Sequence, residues 1–114
     1  MLSVEGLREK GVNVEEGLGR CLNNEGMYLR LVKKVLTDGG YEKLREAIAA
    51  GDLDGAFAAA HSLKGSTGNL SLTPLYDSLV EITELLRGRM QLDYSPYVDA
   101  VMKNRDALAA LCDD

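Results

Sequence analysis

The chain has little with which to build covalent or metal staples. Its 114 residues contain two cysteines, Cys21 and Cys112. They are far apart and lack the paired spacing of a zinc site, so neither a disulfide framework nor a metal cluster is expected, and both read as buried, reduced thiols. There are only two prolines, and 46% hydrophobic against 27% charged residues excludes a disordered chain. No run approaches the roughly 20 apolar residues of a membrane span, and the N-terminal stretch MLSVEGLREK lacks the apolar centre of a signal peptide. A cytoplasmic location away from the membrane is the expectation. With 13 Lys and Arg against 18 Asp and Glu, the net charge of -5 opposes binding to nucleic acid. Internal repeats, low-complexity tracts and linker-like segments are also missing, so residues 1–114 are expected to form one domain.

What is present is helical periodicity. Tyr28, Leu31, Val32, Val35 and Leu36 recur at 3.6-residue spacing, as do Leu75, Leu79, Ile82 and Leu86, and no segment alternates as a strand would. The fold class is all-α. Asn13, with Glu16 three residues on, predicts a capping box and a short helix to about Leu22. A second helix runs from about Glu25 to the Gly39-Gly40 pair, where glycine is expected to close it in the left-handed conformation. A third spans about Tyr41 to Ala50. After Gly51, Asp52 caps a long helix reaching about Leu70. Thr73-Pro74 and Ser95-Pro96 each place a capping hydroxyl before a helix-starting proline, predicting helices over 74–87 and 96–112. Four helices long enough to pack and joined by short connections predict an antiparallel up-down bundle, with a short extra N-terminal helix over one end.

The long fourth helix carries the one histidine. At about 100° per residue, Leu53, Ala56, Phe57, Ala60, Leu63, Thr67 and Leu70 form a core-facing arc. His61 falls outside its centre, on a stripe with Ala58, Gly65 and Gly68. A glycine inside a helix costs about 1 kcal/mol relative to alanine, so two of them beside the only histidine call for a compensating use. Access is that use: without side chains there, a partner's active site can reach the imidazole. Lys64 lies on the adjacent surface, where an ammonium can meet a phosphoryl oxygen. The acidic residues Asp52, Asp54, Glu81 and Glu84 read as solvated or capping groups, with no catalytic role.

The run Ala60-His61-Ser62-Leu63-Lys64-Gly65-Ser66-Thr67-Gly68-Asn69-Leu70 closely resembles the signature of the histidine-containing phosphotransfer (HPt) domain family. The segments Gly17-Leu18-Gly19-Arg20, Tyr28-Leu29-Arg30-Leu31 and Gly51-Asp52 extend the resemblance over roughly residues 14–90. It implies a four-helix bundle with the phosphorylated histidine exposed on its second helix. His61 matches the phosphoacceptor, Lys64 the residue beside the phosphoryl group, and Gly65 the position that clears room for the partner. Phe57 and Ala58 lie on the rim of the docking face, with Gly68 further along it. Ser71 stands where many members have glycine; a serine can hold a helix terminus through local hydrogen bonds. The partners implied are a response-regulator receiver domain and a hybrid sensor histidine kinase of a bacterial phosphorelay, the chain itself acting as a monomer. No Walker or kinase-type glycine loop is present, so no ATP site is expected. No intrinsic cofactor is expected either, and Mg²⁺ belongs to the receiver. Two other readings remain open: a helical module that docks receivers without transfer, and an enzyme using His61 as general base, which requires a pocket and a partner acid.

Overall fold

The computed structural model describes residues 1–113. They form seven α-helices and a closing 3-10 turn, with no strand among the described residues: α1 (Val4–Glu9), α2 (Val14–Arg20), α3 (Glu25–Leu36), α4 (Gly40–Ala49), α5 (Leu53–Asn69), α6 (Thr73–Arg87), α7 (Ser95–Ala109) and the turn Ala110–Asp113. The last four helices make the antiparallel bundle. Its α5 packs against α4 on one side and α6 on the other, α6 packs against α7, and α7 closes onto α4 and α3. Connections as short as residues 50–52 and 70–72 leave a helix no option but to return beside its predecessor. No helix is long and apolar enough to cross a membrane among the described residues.

One apolar cluster runs through the chain from Val4 to Leu108, with Tyr28, Tyr41, Leu44, Leu63, Leu75, Leu79, Ile82 and Leu86 at its buried centre. The arc on α5 faces it largely as expected: Ala56, Ala60, Leu63, Thr67 and Leu70 are buried, while Leu53 and Phe57 at its edge are half-buried. Thr67 is tolerated in the core because its hydroxyl donates to the Leu63 carbonyl at 2.8 Å.

Several helix boundaries differ from the sequence expectation. The N-terminal stretch holds a helix of its own, α1, capped by Ser3, whose hydroxyl accepts from the Gly6 amide at 3.0 Å. Two short helices therefore precede α3, one more than expected. Gly39 does not close α3 in the left-handed region. The helix stops at Leu36, Thr37 donating its hydroxyl to the Lys33 carbonyl at 3.0 Å, and Gly39 sits at φ −69° as the residue before α4. Thr73 and Ser95 lie inside their helices rather than capping them; Leu72 and Tyr94 take the cap positions without a side-chain bond. The Thr73 hydroxyl turns back to the Ser71 carbonyl at 3.0 Å, and the Ser95 amide donates to Asp93 Oδ1 at 2.9 Å. Helix α7 ends at Ala109 and tightens into the 3-10 turn, which leaves Cys112 half-buried rather than buried like Cys21.

The Asn13 and Asp52 caps are as expected: Asn13 Oδ1 accepts from the Glu16 amide at 3.2 Å, and Asp52 Oδ1 from the Gly55 amide at 2.9 Å. Glu16 does not complete the reciprocal half of the box on the Asn13 amide, because that amide donates to the Ser71 carbonyl at 3.2 Å. Helix α2 is thereby tied to the end of α5.

Candidate functional site

Helix α5 carries His61 at its middle, on the side turned away from the core. His61 and Ala58 are exposed, and so is Gly65 one turn further on; Lys64 is half-buried beside them. A Cβ built at Gly65 would meet nothing within 4 Å. Packing within the chain therefore has no need of glycine there, although glycine weakens the helix by about 1 kcal/mol relative to alanine.

Gly68 behaves differently and corrects the expectation of a uniformly cleared strip. It is half-buried, and a Cβ there would stand 2.9 Å from Cε1 of Tyr76 on α6. The small residue seats the Tyr76 ring, so α5 and α6 approach closely at this turn. Gly68 is in the first place a helix-packing glycine.

Two surfaces flank His61. Towards the N-terminus of α5, the Phe57 ring lies 5.6 Å from the imidazole, centroid to centroid, tilted by 41°. The guanidinium groups of Arg87 and Arg89 lie 5.1 and 4.8 Å from the centre of the same Phe57 ring. Arg89 is held in place by bonds to Asp54 Oδ1 at 2.7 Å and to the Leu86 carbonyl at 2.6 Å. Towards the C-terminus of α5, a groove of about 500 Å³ opens between α2, α5 and α6, lined among others by Arg20, Lys64, Gly65, Gly68, Tyr76 and Asp77. His61 is not among its lining residues.

The end of α5 is fixed from outside by α2 and α3. Arg20 donates through Nη1 to the Gly68 carbonyl and pairs with Glu16 at 3.0 Å. Glu16 in turn accepts from the Ser71 hydroxyl at 2.8 Å, and the buried Tyr28 hydroxyl donates to the Leu70 carbonyl at 2.9 Å. The last carbonyls of a helix have no intrahelical partner; here neighbouring elements satisfy them. Ser71 itself adopts φ +55°, a left-handed conformation in which a Cβ is disfavoured. That geometry is the reason glycine suits the position, and the bond to Glu16 helps hold serine there.

Sequence reasoning singled out His61, Lys64, Gly65, Ala58, Phe57 and Gly68, and the structure places all six along one helix, with Gly68 turned to Tyr76. It missed Arg87 and Arg89, which come from the far end of α6 and its following loop. The only sequence signal for them is two arginines around Gly88, which is not specific. Among the described residues no group of three or more His, Cys, Asp or Glu side chains converges as a metal site.

The fold and the site thus define a helical bundle that presents a solitary exposed histidine on its second bundle helix. Residues 40–113 match the family model described as the Hpt domain, and the chain belongs to that family. Members are phosphocarrier modules that hold a phosphoryl group on a histidine within a phosphorelay; they work with receiver domains and kinases and are not themselves kinases. The match begins at α4, so the segments Gly17–Arg20 and Tyr28–Leu31 lie outside it. Neither the comparison with curated proteins nor that with solved structures finds a match.

Proposed function

We propose that His61 is the phosphoacceptor of a bacterial multistep phosphorelay and exchanges its phosphoryl group with the aspartate of a response-regulator receiver domain. The observation that carries this reading is the exposed His61 beside Gly65, a glycine that nothing in the chain's own packing requires. In the forward direction the imidazole lone pair attacks the phosphorus of the receiver's aspartyl phosphate. The N–P bond forms, the P–O bond to the carboxylate breaks, and the carboxylate leaves with the electron pair. The proton on the other ring nitrogen passes to solvent.

Lys64, one turn along α5, neutralises charge on the transferring group, and Ala58, Phe57 and Gly65 make the contact face. The receiver brings the Mg²⁺ that such transfer uses; this chain supplies the nucleophile and the docking surface. A hybrid sensor histidine kinase feeds the relay, and the chain works as a monomeric, single-domain carrier in the cytoplasm without binding ATP. The general-base reading is disfavoured because the imidazole lines neither the groove bordered by Lys64 and Gly65 nor the one bordered by Ala58 and Ser62.

The experiment is a transfer screen with phosphorylated receiver domains from the same organism. Label should appear on this chain, be acid-labile, and vanish in His61→Gln. Lys64→Ala should slow transfer by one to two orders of magnitude, about 1.4 kcal/mol per tenfold, while circular dichroism remains that of the wild type. Acid-stable label, or label on the His61 variant, refutes the assignment. A chain that binds receivers but takes no label would instead be a docking module.

A further inference from the structure

The net charge of the chain is -5, yet two arginines border the surface beside His61. Arg87 and Arg89 both lie within about 5 Å of the centre of the Phe57 ring, which itself contacts the imidazole. An arginine stacked on an aromatic face keeps its planar N–H fork pointed outward along the edge. Phe57 is thus a shelf that holds two forks at the border of the docking face.

The two arginines are not equivalent. Arg89 is committed: it bonds Asp54 and the Leu86 carbonyl, at a residue whose own backbone is left-handed, with φ +52°. Those bonds pin the loop after α6 against the first turns of α5. Arg87 is lightly held. Its Nε meets Glu84 Oε1 at 3.4 Å, its side chain is 49% exposed, and it makes no other ion pair among the described residues. An exposed pair at that distance contributes little. A carboxylate on an approaching protein can replace Glu84 and take the fork in bidentate fashion.

We propose that Arg87, carried on Phe57 and backed by the pinned Arg89, is a specificity-determining residue that reads an acidic side chain on the receiver beside its phosphoaspartate. The proposal rests on the phosphotransfer reading of His61. Its location argues for docking over a grip on the phosphoryl group itself: the guanidinium packs on the Phe57 ring, and it is Phe57 that neighbours the imidazole. Arg89 is a positioning residue, and Asp54 is the anchor that holds it.

The test compares wild type, Arg87→Gln and Arg87→Glu in two reactions. The first is labelling by phosphoramidate, in which the P–N bond of the donor breaks, ammonia leaves and the phosphoryl group moves to His61. That donor has no protein surface to dock. All three proteins should label at one rate, and their phosphohistidines should hydrolyse at one rate. The second is transfer with the receiver domain selected by the screen above. KM should rise several-fold for Arg87→Gln and about tenfold or more for Arg87→Glu, kcat should change little, and the salt dependence of kcat/KM should flatten. Asp54→Asn should reproduce part of the KM effect with Arg87 intact.

Unchanged KM and salt dependence overturn the inference while leaving the phosphoacceptor reading intact. A change in phosphoramidate labelling or in phosphohistidine lifetime overturns it too, since it places Arg87 on the phosphoryl group. So does a wild-type dimer that dissociates in the variants, which assigns the arginine to a contact between copies. Failure of phosphoramidate to label His61 at all refutes the parent reading instead.

Discussion

At the scale of single residues, the four glycine or near-glycine positions around α5 serve different ends. Gly65 faces open space, Gly68 seats Tyr76, and Gly17 is buried where a Cβ would come 2.6 Å from the Leu70 carbonyl and 2.5 Å from Tyr28 Cε1. Ser71 occupies a left-handed position without being glycine. These differences separate stability from function. Gly65→Ala should raise folding stability by about 1 kcal/mol through helix propensity alone, whereas Gly65→Leu should stay folded and lose receiver transfer at least tenfold because its side chain stands in the partner's way. Denaturant titration and transfer kinetics on the same samples check both. A destabilised Gly65→Ala, or full transfer by Gly65→Leu, would show that the glycine serves the chain's own fold. Gly17→Ala should cost about 1–3 kcal/mol, the usual penalty for forcing atoms into a packed site.

At the scale of elements, the helix that carries His61 is held at both ends. Asp52 caps its start, and α2 and α3 satisfy its final carbonyls through Arg20, Tyr28 and the Asn13 amide. Tyr28→Phe removes the donor to the buried Leu70 carbonyl and should cost about 1–3 kcal/mol, the penalty for an unsatisfied buried acceptor. Thermal melts measure it. Phosphoramidate labelling of the folded variant should be unchanged, because His61 lies at the middle of α5, about two and a half turns before the Tyr28 contact at Leu70. The position of the family match, beginning at α4, agrees with this division of labour: α4–α7 form the bundle, and α1–α3 brace it.

For the molecule as a whole, the buried phenols set the response to alkaline pH. Burial pushes the Tyr28 phenol up to about 12. Burial also raises Tyr41, with Asp38 adding to the shift and Arg105, stacked 4.9 Å over the ring, opposing it. Both groups hold their protons more tightly in the folded chain than in the unfolded one. The stability linked to them is therefore complete below about pH 10, the phenol's ordinary value, and is lost as pH rises towards and through the folded values. Melting temperature should be flat from pH 7 to 9 and fall above pH 10, and Tyr28→Phe should weaken that alkaline decline. A melting temperature independent of pH up to 12 would contradict the buried-phenol account.

Sequence alone determined the helical class, the core-facing arc of α5, the Asn13 and Asp52 caps, and the exposure of His61 with Gly65. Each depends on local spacing or on one side chain reaching an amide three residues away, so it is written in short stretches of chain. Tertiary structure decided what local spacing cannot carry. Gly68 packs because α6 brings Tyr76 to it, Ser71 is left-handed because α5 must turn into α6 while tied to α2, and Thr73 bonds backward instead of capping. Arg87 and Arg89 reach Phe57 only because α6 runs back alongside α5, an approach between residues about thirty positions apart that antiparallel packing, and no periodicity, creates.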